Sequence, residues 1–458
     1  MVSRVPEPTE TCRDLATFVR EVTDDDLSAR FRDVAVRAFV DTVCLAVAGA
    51  AERGGELTTA TLGDLAGDAG TAPVVGSAEP LPLTDAVCAN CTAAHQHDYD
   101  DTSLVTHNHP SAPVVPTVLT LAGQQQLSGR DALTAYAVGV ETQYALAERM
   151  DTDAHVGRGW HATPTLGTFG ATATTCWLRS LDVSTVEHAL RIAASMPAGL
   201  QTNFGTMTKP LHVGHAARSG VTAALLAEKG FTGGEGALDG ATGFFEVYAD
   251  GRTGGDADVL ADAWRVMDDE TYHLKKYPCC SSSHPALGAL ERLRADHDLS
   301  PATVDGVRVA APEWTRDELQ YPDPATPLES KFSMEHAVAS AVVDGSPAED
   351  AFSASGLADE AVAAMREAIE YDVDPTVSYG EYTTTVAVDL VDGRTLTETV
   401  SDPPGSHSNP LTDDELRGKF LRTAGPVLGE GTADSLYDDL RSLTDLSDLD
   451  GVVATLTG

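Results

Sequence analysis

Phe31, Val34, Ala35, Ala38 and Phe39 recur at three- and four-residue spacings, so they fall on one face of an early helix. Ser128-Gly129-Arg130-Asp131 interrupts the chain before a further helix running through Ala135 to Met150. Two later segments, Thr165 to Leu178 and His215 to Lys229, are packed with Ala, Gly, Thr and Ser. Small side chains let helix axes approach closely, so these two are expected at the centre of a bundle. The helical pattern persists to about residue 265.

After Lys276 the periodicity changes. Val304 to Ala310 predicts a strand, and Thr383 to Leu390, Asp392-Gly393 and Thr395 to Val400 predict a hairpin. Helices are expected between them at Ser283 to Asp296, Lys331 to Val343 and Glu360 to Glu370. Helix resumes after Thr412, whose hydroxyl and the Glu415 carboxylate form a capping-box pattern. The expected fold is mainly α. A large all-helical domain (1–268) carries a smaller α+β lid domain (269–404), inserted before C-terminal helices (405–458) that return to the helical domain.

Composition narrows what such a fold can do. The chain has 458 residues, long enough for two or three units with a large core. Hydrophobic residues make up 42% but aromatics only 6%, which suits closely packed helices of Ala, Val and Leu. The formal charge is -40, which excludes a nucleic-acid or anionic-membrane partner, since both need a basic footprint. The acids are scattered, as at Asp24-Asp25-Asp26 and Asp438-Asp439, and they give a surface of the halophilic, haloarchaeal type.

Lysine occurs only at Lys209, Lys229, Lys275, Lys276, Lys331 and Lys419. Several of these fall in chemically dense segments, which argues against chance placement. The seven cysteines are an odd number in a chain whose N-terminus shows no secretory h-region, so a disulfide framework is not expected. The apolar run Phe39 to Ala51 is too short to span a bilayer, and a cytoplasmic protein is expected.

Five segments carry chemistry. Ala94-His95-Gln96-His97-Asp98-Tyr99-Asp100-Asp101-Thr102 leads to His107-Asn108-His109-Pro110-Ser111. A metal is one reading, but a His-x-His-x-Asp-His pattern is incomplete here, so no metal or other cofactor is expected. A polar helix end with satisfied histidines is the structural alternative. Cys88 and Cys91 lie one helical turn apart without a second pair, as packed core residues would. His161 precedes a small-residue helix, whose start favours an anion. Lys209 precedes Pro210, which predicts an extended turn at the lysine, and His212 follows it. Lys275-Lys276-Tyr277-Pro278-Cys279-Cys280 opens the second domain, where a cleft is expected.

Taken together, His97-Asp98-Tyr99-Asp100-Asp101-Thr102 with His109-Pro110-Ser111-Ala112, Gly159-Trp160-His161, Thr208-Lys209-Pro210-Leu211-His212 and Lys276-Tyr277-Pro278-Cys279-Cys280 closely resemble the MmgE/PrpD family. The blocks follow the family's order, and the resemblance runs from about residue 10 to 450. It implies a large helical domain with an α+β lid, usually in a homodimer, and a small polycarboxylate substrate bound between the domains. The family's reactions include dehydration, decarboxylation and epimerisation. By similarity to a decarboxylating member, Asp98, Thr102, His109, His161, Lys209 and Lys275 fall on active-site positions. Two departures stand out: that member has a histidine where this chain has Cys280, and its Asp-Asp-Thr to His-Pro spacing is one residue shorter.

The expected activity is that of a cofactor-independent lyase, a hydratase or dehydratase on a citrate-like acid. His109 and His161 are the candidate acid/base pair. Lys209 and Lys275 would hold carboxylates, and Asp98 and Thr102 would orient His109 or bind a hydroxyl. His212, Lys276 and Cys280 complete the candidate substrate contacts. An isomerase or epimerase, a decarboxylase and a catalytically silent polycarboxylate-binding protein are the alternatives.

Overall fold

The computed structural model describes residues 11–67, 69–249, 264–378 and 381–458. Several of its helices begin where side chains can satisfy the free backbone N–H groups of a first turn. Ser28 accepts from Phe31 N–H to start Ala29–Ala50. Ser128 and Asp131 form a capping box at the start of Gly129–Arg149, and Thr412 and Glu415 form another at Asp413–Leu428.

The two small-residue segments become Ala162–Leu178 and Thr208–Glu228, which pack on each other. Thr208–Glu228 also packs on Leu83–Ala94. Glycine permits both approaches: a Cβ on Gly214 would overlap the Cys88 carbonyl, and one on Gly220 the Thr168 carbonyl. The contact with Leu83–Ala94 is antiparallel, so it sets the first turn of Thr208–Glu228 beside the last turn of its neighbour. Lys209 on the one helix meets His95, just after the other, through that register.

A sheet of order β4-β3-β5-β6 forms the smaller portion, from β3 (Val304–Ala311), β4 (Ile369–Val373), β5 (Thr384–Leu390) and β6 (Thr395–Val400). β3 pairs antiparallel with β5, and β5 with β6 through the expected hairpin. The sheet and the helices His284–Asp296 and Met334–Asp344 enclose a core of their own around Leu287, Val307, Val338 and Val386. Asp413–Leu428 packs on Ala29–Ala50, and its Phe420 joins the core formed by Phe31, Phe39 and Tyr136.

Two strand regions depart from the sequence expectation. The helix expected to reach Glu370 stops at Arg366, and Ile369 opens β4, which lies parallel to β3. Ile369 and Tyr371 are buried with the exposed Glu370 between them, so a period of two had replaced the helical one over too few residues to stand out. The helical part also contains a short hairpin, β1 (Ala72–Val74) with β2 (Ser77–Leu81). Pro73 and Pro80 interrupt any strand pattern there. Among the described residues no single helix is long and apolar enough to cross a membrane.

Candidate active site

The Leu83–Ala94 helix ends at His95, and the chain then turns through Asp98, a non-glycine residue at φ 50°. Three successive carbonyls of this turn each accept a hydrogen bond from a different buried lysine. Lys331 donates to His97 O at 2.9 Å, Lys275 to Asp98 O at 2.7 Å and Lys419 to Tyr99 O at 2.7 Å. These lysines come from regions far apart in the chain, and they hold a left-handed turn that local sequence would not stabilise alone. Lys419 is itself fixed by the buried Asp41, 2.5 Å away, and lies 3.7 Å from the Tyr99 ring centroid.

The acidic side chains of the turn have separate tasks. Asp98 accepts from Lys209 at 2.5 Å and from Lys275 at 3.1 Å. Burial alone would raise its carboxyl, but the Lys209 and Lys275 ammoniums outweigh burial and hold it well below the usual carboxylate range. Asp100 meets His95 Nδ1 at 2.8 Å and His109 Nδ1 at 3.2 Å, and these imidazoles keep it low against its burial. Asp101 accepts from Ser111 and from the Tyr272 hydroxyl, tying the turn to the 109–111 segment. Burial pushes Asp101 up to about 7.

Histidines line the other side. His95 lies between His109 and His161, with ring centroids 4.5 and 6.1 Å from theirs. His109 Nε2 also approaches Asp98 at 3.6 Å. Its Nδ1 contact with Asp100 does not have hydrogen-bond geometry, as catalytic contacts often lack it before substrate tightens them. Burial, reinforced by Lys209, holds His161 well below the ordinary imidazole range, so its ring is neutral at pH 7. Burial likewise takes His95 down to about 3.

Lys209 is not in an extended turn. It occupies the first turn of Thr208–Glu228 with Pro210 after it. A first-turn proline forfeits no helical hydrogen bond, and the helix packing overrides the local bias against helix before proline. The lysine Nζ is 2.9 Å from His95 Nε2, and the Phe204 and Phe332 rings flank it at 5.2 and 5.4 Å. His95, Asp98, Asp100 and His109 offer ligand atoms within 4.8 Å of one another, a grouping that could hold a metal. Lys209 already places a cation against two of these four donors, and Lys275 a second one on Asp98. Half of the donor set, His95 and Asp98, is therefore met by ammonium groups.

The structure brings Asp98, His109, His161, Lys209 and Lys275 together, all less than a tenth exposed. Thr102 is buried nearby, but its backbone pairs with His273, and among the described residues its hydroxyl bonds to none of the site groups. Lys276 points elsewhere, bridging Glu291 at 2.7 Å and Glu415 at 3.0 Å. His212 sits behind His161, with the two Nδ1 atoms 3.1 Å apart. Cys280 is buried, its thiol donates to Glu318 at 3.3 Å, and burial pushes that thiol well above its ordinary range. All seven cysteines are free.

The comparison with known families agrees with this arrangement. The MmgE/PrpD N-terminal domain matches residues 13–255, and the MmgE/PrpD C-terminal domain matches residues 277–440. The chain belongs to the MmgE/PrpD family. Among its relatives, cis-aconitate decarboxylase of Homo sapiens is 28% identical over 392 residues, covering 82% of this chain and 80% of that protein. Cis-aconitate decarboxylase of Aspergillus terreus is 25% identical and covers 83% of each chain. A cis-aconitate decarboxylase-like protein, oryM, of Aspergillus oryzae is 24% identical over 97% of both. These relatives support a lyase of the MmgE/PrpD family.

Within this MmgE/PrpD site, sequence reasoning missed His95, Asp100, Lys331 and Lys419. His95 and Asp100 belong to the polar segment singled out in the sequence, yet nothing linear says which nearby acid meets which imidazole. The scarcity of lysine was the usable signal: Lys209, Lys275, Lys331 and Lys419, four of the six, converge on the 97–99 turn.

Proposed function

We propose that this protein is a cofactor-independent hydratase or dehydratase acting on a citrate-like polycarboxylate. The observation that carries the reading is the convergence of Lys209 and Lys275 on one carboxylate, Asp98, beside His109 and His161 in a closed site. Lys209, Lys275 and Lys331 all act on Asp98, so three ammonium groups gather around one carboxylate within a chain of charge -40. Such a cluster selects an anion with more than one carboxylate, because each ammonium can exchange part of its contact with Asp98 for a substrate oxygen.

Removing water from such an acid requires taking a proton from carbon and giving one to the leaving hydroxyl. His161, held neutral, is the base in this scheme. His109, beside Asp98 and Asp100, is placed to deliver the second proton. The neutral Cys280 thiol, tied to Glu318, adds no comparable proton donor.

Decarboxylation of cis-aconitate is the second reading, favoured by the activity for which the relatives are named. Incubation of the full-length protein at high salt with citrate, 2-methylcitrate, cis-aconitate and four-carbon dicarboxylates, followed by mass spectrometry, separates the two. Gain or loss of water is expected. Carbon dioxide release would replace our reading with the second one. Deuterium entering the substrate carbon from heavy water without alkene formation would assign an epimerase, and binding without conversion would leave a silent binding protein.

A further inference from the structure

Proton transfer among buried side chains poses a supply problem, because the proton gained or given up by the buried base must reach water. His161 is 3% exposed, and Asp98, His109, Lys209 and Lys275 are buried around it. One ring nitrogen of His161 is turned away from that cluster: its Nδ1 is 3.1 Å from His212 Nδ1. His212 stands on the first turn of Thr208–Glu228 and is only partly buried. Its side chain lines a pocket of about 470 Å³ with Leu57, Thr58, Thr61, Leu211 and His215.

We propose that His212 is a relay residue that carries protons between His161 and water in this pocket. The inference rests on the proton-transfer reading of His161 given above. A pair of Nδ1 atoms at this distance shares one proton, one ring donating and the other accepting. When His161 takes a substrate proton on Nε2, its Nδ1 proton passes to Nδ1 of His212. Nε2 of His212 then releases a proton to the pocket. One proton enters and one leaves, no atom is oxidised, and the reverse sequence supplies a proton to the site.

The surroundings fit the task. His161 N–H donates to Gly199 O at 3.2 Å, and Trp160 pairs with Leu200, so the backbone fixes the ring. Gly199 has φ 127°, and a Cβ there would lie 2.6 Å from Pro164 and 3.3 Å from the His212 ring. Glycine thus leaves the room that the two imidazoles occupy. Burial, with Lys209 and His215 adding to it, takes His212 down to about 4, so it is neutral at rest beside His161. A resting charge would block the next transfer.

The test uses the full-length protein with ¹⁵N-labelled histidine, free of substrate. NMR reads the exchange of the His161 ring proton with water, beside kcat and KM on the substrate panel. His212→Leu should slow the exchange and lower kcat by at least about tenfold, less than the roughly hundredfold or more of a direct general acid–base group, with KM nearly unchanged. Added imidazole, small enough for the pocket, should restore part of both. Thr61→Phe leaves both histidines in place, fills the pocket and should slow exchange in the same direction, which covers a folding failure of His212→Leu. Unchanged exchange in either folded variant would overturn the relay, as would a raised KM with unchanged kcat. If no substrate on the panel turns over, the proposed reaction fails, while the exchange rates still decide the relay.

Discussion

Lys209→Met removes the ammonium at the centre of the site and keeps a side chain of similar length. In the native protein that ammonium is 2.5 Å from Asp98 and 2.9 Å from His95 Nε2, and it is 4% exposed. Removing one partner of a buried ion pair costs about 3–5 kcal/mol when the remaining charge is abandoned. Asp98 is not abandoned, since Lys275 stays 3.1 Å away, so we expect a loss of about 3 kcal/mol in stability, the low end of that range. The catalytic loss is separate. Removing one preorganised charge-stabilising donor lowers kcat by about two to three powers of ten, or ~3–4 kcal/mol. Lys209→Arg should recover part of the stability but little of the rate, because a planar fork cannot meet Asp98 and His95 as a compact ammonium does.

The pH dependence supplies an independent check. Asp98 has a depressed folded pKa, so its contribution to stability is present above its unfolded value, about 4, and is lost as pH falls through the folded one. In Lys209→Met the depression is smaller, and the acid limb of the stability profile should move to higher pH. Melts followed by circular dichroism across pH, with kcat/KM on the true substrate, measure both effects. Near-native kinetics together with an unmoved acid limb would refute the clamp.

Four further outcomes are expected. Asp100→Asn should lower kcat by about a hundredfold or more with KM little changed, because His109 and His95 lose their shared carboxylate, and a change confined to KM would argue for substrate contact instead. Lys419→Met should destabilise by about 3–5 kcal/mol by stranding Asp41, and Asp41→Leu in the same chain should recover most of it, so a double variant as weak as the single would contradict the pairing. His95, His97 and His273 are each lowered from 6.5 to about 3 by burial, so the unfolded chain binds more protons between those values; stability should fall as pH drops below 6.5, by about 1.4 kcal/mol per unit for each ring, and a flat melting temperature from pH 7 to 5 would count against neutral buried rings. Dilution from molar to millimolar salt should lower the melting temperature, since the Debye length grows from about 3 Å and leaves the -40 surface unscreened, whereas an unchanged melt would remove the salt-adapted reading.

The linear sequence was sufficient for features whose physics is local. The capping box at Thr412, the helix start after the break at Ser128, the β5–β6 hairpin around Asp392-Gly393 and the small-residue helices follow from neighbouring residues, and the structure has them in place. The family-like blocks named Asp98, His109, His161, Lys209 and Lys275, and all five are buried in the folded chain. Where competing local signals were short, the reading failed: β4 is five residues long, and β1–β2 is broken by proline.

Tertiary structure decided the rest, through forces with no sequence range. Packing against Leu83–Ala94 put Lys209 in a helix despite Pro210. Burial made His161 neutral, and two lysines from separate segments made Asp98 a stable anion in the interior. Lys276, adjacent to Lys275 in the chain, was turned toward Glu291 and Glu415 instead. Desolvation and Coulomb attraction depend on what lies within a few ångströms in space, and for the 97–99 turn those neighbours are Lys275, Lys331 and Lys419, which only the folded chain brings together.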